Sequence, residues 1–522
     1  MPFKRVMQKP QVKNLDQLRL HLEHFYLERR FTMDVTARLA GLIFFIAFVG
    51  LLPQLNCLYG TTGLLPVTEY FDGLKNAHMN FFGYPTLLWL KPDVTGMLLT
   101  AIFGAIASLL AFCNKAKTIA LLVSYFCYFS LLQAGQDFLS FQWDILLLEV
   151  GFVSAFICSR QLSAAVKGLF AWLLILIGFK LMLLSGLCKI LSQDASWSGL
   201  TALNYHFYTQ PLPTPLAAFI QALPQDWLKL MCGSTLFIEL IIPFAVLAGR
   251  KGRLFAYFAF IFLQVLITFS GNYGFFNWLS IVLFVPLLDD KAIAFYAKHK
   301  RNKFKASPSH SNVINSSIVP RSRQLIQWTG ATLALCLISA NLILLTGYII
   351  PQPLIMRLLI AMPEHFYLVN SYGLFSVMTT QRPEIVIEGS NDGVHFSPYE
   401  FAFKPGNERR PPPLVAPFQP RLDWQLWFEA LKATADENDL NRPISQRLVT
   451  PSPWFINLIA ALQSNDPNVT AALSFNPFRK HGPRYIRARI VQYKFATPAE
   501  ILRDGIYWHS DFGGSRNIYF EN

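Results

Sequence analysis

Lys189 stands in the run SGLCKI, and four more ionisable side chains lie in comparably apolar surroundings: Asp144 and Glu149 in FQWDILLLEVGF, Lys180 in LLILIGFKLMLLSG, and Glu239 in STLFIELIIPF. A charge near the centre of a bilayer costs at least about 2.5 to 3.5 kcal/mol, so each of these needs a partner, a water-filled cavity or the polar interface beside it. Two kinds of chemistry meet that need. A lysine and a glutamate on neighbouring helices form a structural ion pair, with Lys180 and Glu239 the deepest candidates. Alternatively a partly desolvated lysine, Lys189, serves as a base, with Glu239 or His206 as its partner, on a quinone-like or lipidic substrate entering from the bilayer. Lys180 and Lys189 are nine residues apart, about two and a half helical turns, so they point opposite ways and cannot both line one narrow pocket. Asp144 is close to a helix end, within reach of water, and Lys189 is near enough to its own helix end to extend toward headgroups.

The elements that must carry these residues are membrane helices. The chain has 522 residues, of which 53% are hydrophobic and only 15% charged, too few charges for the surface of a soluble protein of this length. Apolar runs long enough to span hydrocarbon lie near 37–55, 94–113, 118–135, 143–158, 166–190, 231–249, 254–270, 276–288 and 328–350, about nine in all. The net charge of +14 sits largely in short clusters beside these runs, a topological pattern and not the basic stripe of a nucleic-acid binder. Every second connector is basic: Arg29, Arg30 and Arg38 at the start of the first run, then Lys115 and Lys117, Arg160 and Lys167, Arg250, Lys251 and Arg253, and finally AKHKRNKFK over 297–305. By the positive-inside rule the N-terminus is cytoplasmic, and an odd number of crossings carries everything after Pro351 to the far side.

Five segments follow: a cytoplasmic amphipathic segment over 1–36, where Leu15, Leu18, Leu22 and Phe25 recur at helical spacing; a helical membrane domain over 37–290; a basic, Ser-rich cytoplasmic linker over 291–325; a last transmembrane helix over 326–351; and a β-rich extracytoplasmic domain over 352–522. In the last of these, strand-like runs flank Asn391-Asp392-Gly393, a turn signal, and Tyr399, Phe401 and Phe403 alternate as a half-buried strand does. YIRARIVQYKF alternates too, but switches phase at Ile490 and Val491, the mark of a bulge or of burial on both faces. RLDWQLWFEAL sets Trp424, Trp427 and Leu431 on one helical face. At about 170 residues this domain is large enough to bury a core of its own.

Between the fifth and sixth runs the chain opens into LSQDASWSGLTALNYHFYTQPLPTP. Trp197, Tyr205, His206 and Tyr208, followed by Pro211, Pro213 and Pro215, suit an aromatic belt at headgroup level or the mouth of a cavity facing the exported domain. The seven cysteines all precede residue 351 and include no C-x-x-C, which argues against a zinc or dithiol site; no metal ligands and no cofactor are expected.

LLSGLCKILSQDASWSGLTALNYHFYTQPLPTP, with FLSFQWDILLLEVGF before it and TFSGNYGFFNWLSIVLFVPLLDD after it, closely resembles the lipase maturation factors. VNSYGLFSVMTTQRPEIVIEGSNDG, PSPWF and NPFRKHGPRYIRARIVQYKF resemble the C-terminal domain of the same family, so the likeness runs from about 40 to 497. It implies a polytopic membrane protein, resident in the endoplasmic reticulum in animals or the inner membrane in bacteria, that helps dimeric lipases such as lipoprotein lipase reach their folded, secreted form. The expected partners are a client lipase or another exported protein, together with membrane lipids. The absence of G-x-S-x-G agrees that the chain is not itself a lipase. Client contacts are expected from Trp424, Trp427, Phe428, Trp454 and Phe455, with Trp197, Tyr205 and His206 in the loop, because aromatic side chains give large contact area at low entropic cost. One departure is that the exported part has no cysteine, which sets it apart from animal members tied to redox balance. SGLCKILSQDASWSG is also similar to the lysine-bearing helix end of the vitamin K-dependent gamma-glutamyl carboxylases, which implies for Lys189 the role of base.

Overall fold

In the computed structural model, which describes residues 10–296, 321–438 and 451–521, Phe44 and Phe48 stand one turn apart on the helix Arg30–Leu51 and fill two glycine notches. A Cβ on Gly151 would lie 2.2 Å from the Phe44 ring, and one on Gly104 would lie 2.3 Å from the tip of Phe48. The glycines let the helices Gln142–Ile157 and Val94–Phe112 approach closely, which is how helices associate where no hydrophobic force separates lipid from protein. Tyr128, on the helix Lys117–Ala134, meets both rings edge-on at 6.0 and 5.3 Å. All three aromatic rings are fully buried.

Among the described residues six helices are long and apolar enough to cross a membrane: Arg30–Tyr59, Val94–Phe112, Lys117–Ala134, Ala164–Leu191, Gly249–Ser270 and Arg321–Gly347. The other three expected runs are shorter elements. Gln142–Ile157 has 16 residues, about 24 Å of helix at 1.5 Å per residue, against hydrocarbon about 30 Å thick. The run expected over 231–249 begins earlier, in the helix Gln225–Leu240, and breaks before the four-residue helix Ile242–Ala245, where Pro243 cannot continue the hydrogen-bond ladder. Pro286 likewise ends Phe276–Phe284 in a single 3₁₀ turn, Val285–Leu287.

The two ends of the bundle are built differently. At one end basic connectors find acids: Lys117 pairs with Asp34, Arg250 with Asp289, and Asp290 accepts from the amides of Phe31 and Thr32 at 3.0 Å. The helix Pro10–Leu27 joins this end, where Phe25 stacks on Trp172 at 4.5 Å, while Leu15 and Leu18 are exposed. The basic stretch 297–305 and most of the linker lie outside the described residues; the helix Asp290–Tyr296 and the long helix beginning at Arg321 border it.

The opposite end carries the C-terminal region. Its strands are β1 (Pro383–Ser390), β2 (Ser397–Pro398), β3 (Glu400–Phe401), β4 (Leu473–Phe475), β5 (Tyr485–Phe495) and β6 (Trp508–Glu521), arranged as an antiparallel sheet β2-β1-β5-β6 and a small pair β3-β4. Every residue of β1 is buried, since it is a central strand, and the helix Arg421–Asn438 packs against it. The irregularity in β5 falls at the expected place: the register against β6 shifts between Ile490 and Gln492, and Ile490 and Val491 are both buried. Gly393 adopts φ +75°, and the Asp392 carboxylate accepts the amides of Val394 and His395 at 2.9 and 2.8 Å. The His395 side chain, those amides and Ser390 hold that carboxyl well below the usual carboxylate range.

The reading of 352–522 as a unit with a core of its own meets a different arrangement. Ile385, Tyr399, Trp424 and Trp454 belong to the same contiguous hydrophobic cluster as Phe44, Tyr128 and Leu184. The C-terminal region and the bundle share one core.

Candidate functional site

The segment 370–382 runs along the aromatic and proline-rich stretch 192–211 and is stitched to it by backbone atoms. Trp197 Nε1 donates to Phe375 O at 2.9 Å, Ser192 Oγ to Ser376 O at 2.6 Å, and Tyr208 Oη to Thr380 O at 2.6 Å, while Asp194 accepts from the Met378 amide at 3.1 Å. Arg382, 1% exposed, inserts its guanidinium among carbonyls that prolines leave without helical partners: those of Tyr208 at 2.6 Å, Gln210, and Pro211 at 2.8 Å. Glu384 balances that charge at 2.7 Å and also takes Lys404 at 3.0 Å. The aromatic stretch is therefore a collar laid along the incoming C-terminal chain.

Two of the intramembrane acids are held by the same region. Asp144 receives Arg421 in a two-pronged bond, Nη1 to Oδ2 at 2.9 Å and Nη2 to Oδ1 at 2.8 Å, and Tyr128 Oη donates to Oδ1 as well. Glu149 accepts from Lys180 Nζ at 2.8 Å, from Asn370 Nδ2 at 3.2 Å and from Tyr372 Oη; Lys180 also donates to Asn341 Oδ1. All of these side chains are buried, and the planar fork of Arg421 matches a carboxylate in a way a lysine cannot.

The Lys189–Glu239 pairing is the one named for Lys189 as a base, whereas the Lys180–Glu149 pairing was not singled out by the sequence. Lys180 takes Glu149, and Glu239 goes to Lys189, whose Nζ lies 3.1 and 2.8 Å from its two oxygens, 2.9 Å from Ser185 O and 5.2 Å over the Trp197 ring. Lys189 is 5% exposed and does not reach toward a headgroup layer. Asp144, at 0% exposure, is not wet.

Lys189 and Glu239 border a cavity of about 290 Å³ between the helices Ala164–Leu191, Gln225–Leu240 and Gly249–Ser270. Its walls are mainly apolar, among them Leu181, Ile238, Phe262 and Leu266, and Trp197, His206 and Phe375 of the collar and the segment bonded to it contribute to the lining; Lys180 does not. His206 meets the Phe375 ring edge-on at 4.9 Å, and its Nε2 lies 3.4 Å from Tyr273 Oη, which donates to Gln210 at 2.8 Å. Burial, and secondarily the charge of Lys189, push the His206 imidazole down to about 4, so it is neutral at physiological pH. Among the described residues no group of three or more His, Cys, Asp or Glu side chains is placed to hold a metal ion.

The aromatic side chains expected to meet a client have other occupations. Trp424 lies 5.0 Å from Trp143 and 6.0 Å from Tyr273, ring to ring; Trp427 Nε1 donates to Thr209 O at 2.9 Å; Trp454 packs on Phe138 at 5.6 Å. These three, with Phe455 and Trp197, are buried, and they form the seam between the two regions because the collar and the short helices beneath it offer aromatic partners. Tyr205 and His206 are half-buried, and Phe428 is 40% exposed.

The family model of the lipase maturation factor transmembrane domain matches residues 31–295, and that of the lipase maturation factor C-terminal domain matches residues 368–516. The chain belongs to the lipase maturation factor family. Lipase maturation factor 2 of Homo sapiens is 32% identical over 89% of this chain and 79% of its own length. Lipase maturation factor 1 of Bos taurus is 30% identical over 94% of this chain and 88% of its own. No solved structure matches the chain. With six helices fit to cross a bilayer among the described residues, this family member is an integral membrane protein. The two matched stretches are the two regions that the collar, Arg382 and Arg421 hold together.

Arg382, Arg421, Asn370, Tyr372 and Asn341 were not singled out by the sequence. The available signal was indirect: Asp144 and Glu149 each demand donors, and the segment QRPEI carries an arginine just ahead of the apolar run IVI.

Proposed function

We propose that this chain matures exported lipases from within a membrane, as its family relatives are named for doing, with its C-terminal region on the extracytoplasmic side. The family match through both the membrane and C-terminal regions carries this reading. The collection of Arg29, Arg30, Lys117 and Arg250 at the bundle end opposite the C-terminal region supports the orientation, because basic connectors stay cytoplasmic. In this reading all nine apolar runs cross, the shorter ones within a locally thinned layer.

The chain acts as a rigid membrane-bound platform. Buried ion pairs and the aromatic seam fix the C-terminal region to the bundle, so a client meets the outer surface of that region, including Phe428, and not the buried tryptophans. The test is complementation: cells lacking their own lipase maturation factor, expressing a dimeric lipase, regain secreted lipase activity when this chain is supplied. A stably expressed, membrane-inserted chain that restores no activity to any dimeric lipase tried overturns the reading.

A further inference from the structure

Two carboxamides on the wall of the cavity beside Lys189 face a need the protein does not meet. Among the described residues Gln264 Oε1 and Asn277 Oδ1 have no hydrogen-bond partner, although Gln264 is 5% exposed and Asn277 3%. Buried polar atoms are ordinarily bonded, and each exception calls for a ligand or a water. The space beside them is about 290 Å³, roughly twice the 150 Å³ or so of an engineered apolar cavity that stays dry and takes benzene. Trp227, Leu230 and Phe262 line the cavity and are also more than half exposed on the outside of the bundle, so it opens sideways between the helices Gln225–Leu240 and Gly249–Ser270, where acyl chains lie.

We propose that this cavity binds one neutral, single-chain lipid with hydroxyl groups on its head, of the monoacylglycerol type. Charge selects against the alternatives. Lys189 and Glu239 satisfy each other at 2.8 Å, so a fatty-acid carboxylate or a phosphate gains nothing unless that pair breaks. A hydroxyl both donates and accepts, which suits a carboxamide in either orientation and the neutral His206 ring. The apolar walls around Leu181, Ile238 and Leu266 take a chain, not a sugar or a nucleotide. Because Trp197, His206 and Phe375 also line the space, the lipid touches both the collar and the C-terminal segment bonded along it.

The test uses the full chain in phosphatidylcholine nanodiscs with a diazirine-bearing monoacylglycerol as photolabel. Label is expected in peptides from 225–240 and 249–270, reduced about tenfold by excess monooleoylglycerol and little changed by oleate. Ile238→Trp fills the cavity and Ser234→Trp obstructs its rim, and each lowers labelling. Label spread evenly over outward-facing helices, equal competition by oleate, or unchanged labelling in both tryptophan variants overturns the proposal. If neither variant folds, the competition in the wild-type chain decides.

Discussion

Arg421 grips both carboxylate oxygens of Asp144 at 2.8 and 2.9 Å although 277 residues separate them in the chain. The pair is buried, and its two members come from the two regions that the family description treats separately.

Removing one member strands the other. Arg421→Met leaves Asp144 without its counter-ion and is expected to lower stability by about 3 to 5 kcal/mol, whereas Arg421→Met with Asp144→Leu recovers most of that loss. Thermal unfolding of the detergent-solubilised chain measures it. A double variant as unstable as the sum of the singles would show that the pair is not what joins the regions.

The same logic separates structure from chemistry at Lys189. Lys189→Met should reduce the amount of folded protein, and adding Glu239→Leu should restore it. If lipase maturation returns with the folded protein, Lys189 acts only as a counter-ion; a well-folded double variant without activity would assign it a reactive role.

His206 makes the collar sensitive to acid. Its folded-state value of about 4 lies below the ordinary 6.5, so between those values the unfolded chain binds the extra proton and the folded one does not. Stability from this group is complete above pH 6.5 and is lost as pH falls toward 4. His206→Gln is expected to flatten the fall in melting temperature between pH 7 and 5; parallel curves for the two proteins would count against a neutral buried imidazole.

Asn468 tests the orientation. It opens the triplet Asn468-Val469-Thr470, is exposed, and lies 3.5 Å from Thr62 Oγ1 on the C-terminal side of the bundle. Expressed in animal cells, the chain should carry a glycosidase-sensitive glycan that Asn468→Gln abolishes. Modification instead of a cysteine introduced at Arg250 by an impermeant reagent added from outside would reverse the topology.

Much of this architecture was legible because apolar run length and strand alternation report burial directly. The phase switch at Ile490 and Val491 marked a real irregularity, and the run expected over 166–190 became the helix Ala164–Leu191. Pro243 and Pro286 were visible too, but hydropathy averaged over a run conceals a break within it. The ion-pair register was not legible. Glu149 and Glu239 are equally good partners for a lysine on composition alone, and only packing assigns Lys180 to the first and Lys189 to the second. Arg382 and Arg421 were silent for the opposite reason: an arginine in a polar stretch carries no visible cost, so nothing there asked for an acid far away in sequence.

The long separation of Asp144 from Arg421 has a consequence for biosynthesis. At about 5 to 20 residues per second, roughly a quarter of a minute to a minute passes between the emergence of the acid and that of its arginine. During that interval the nascent bundle holds an unmatched carboxylate against Tyr128, and a chain that stops short of residue 421 never resolves it. Completion of the polypeptide is thus written into the interior of its first half, and an unfinished copy exposes its own incompleteness to whatever inspects newly inserted helices.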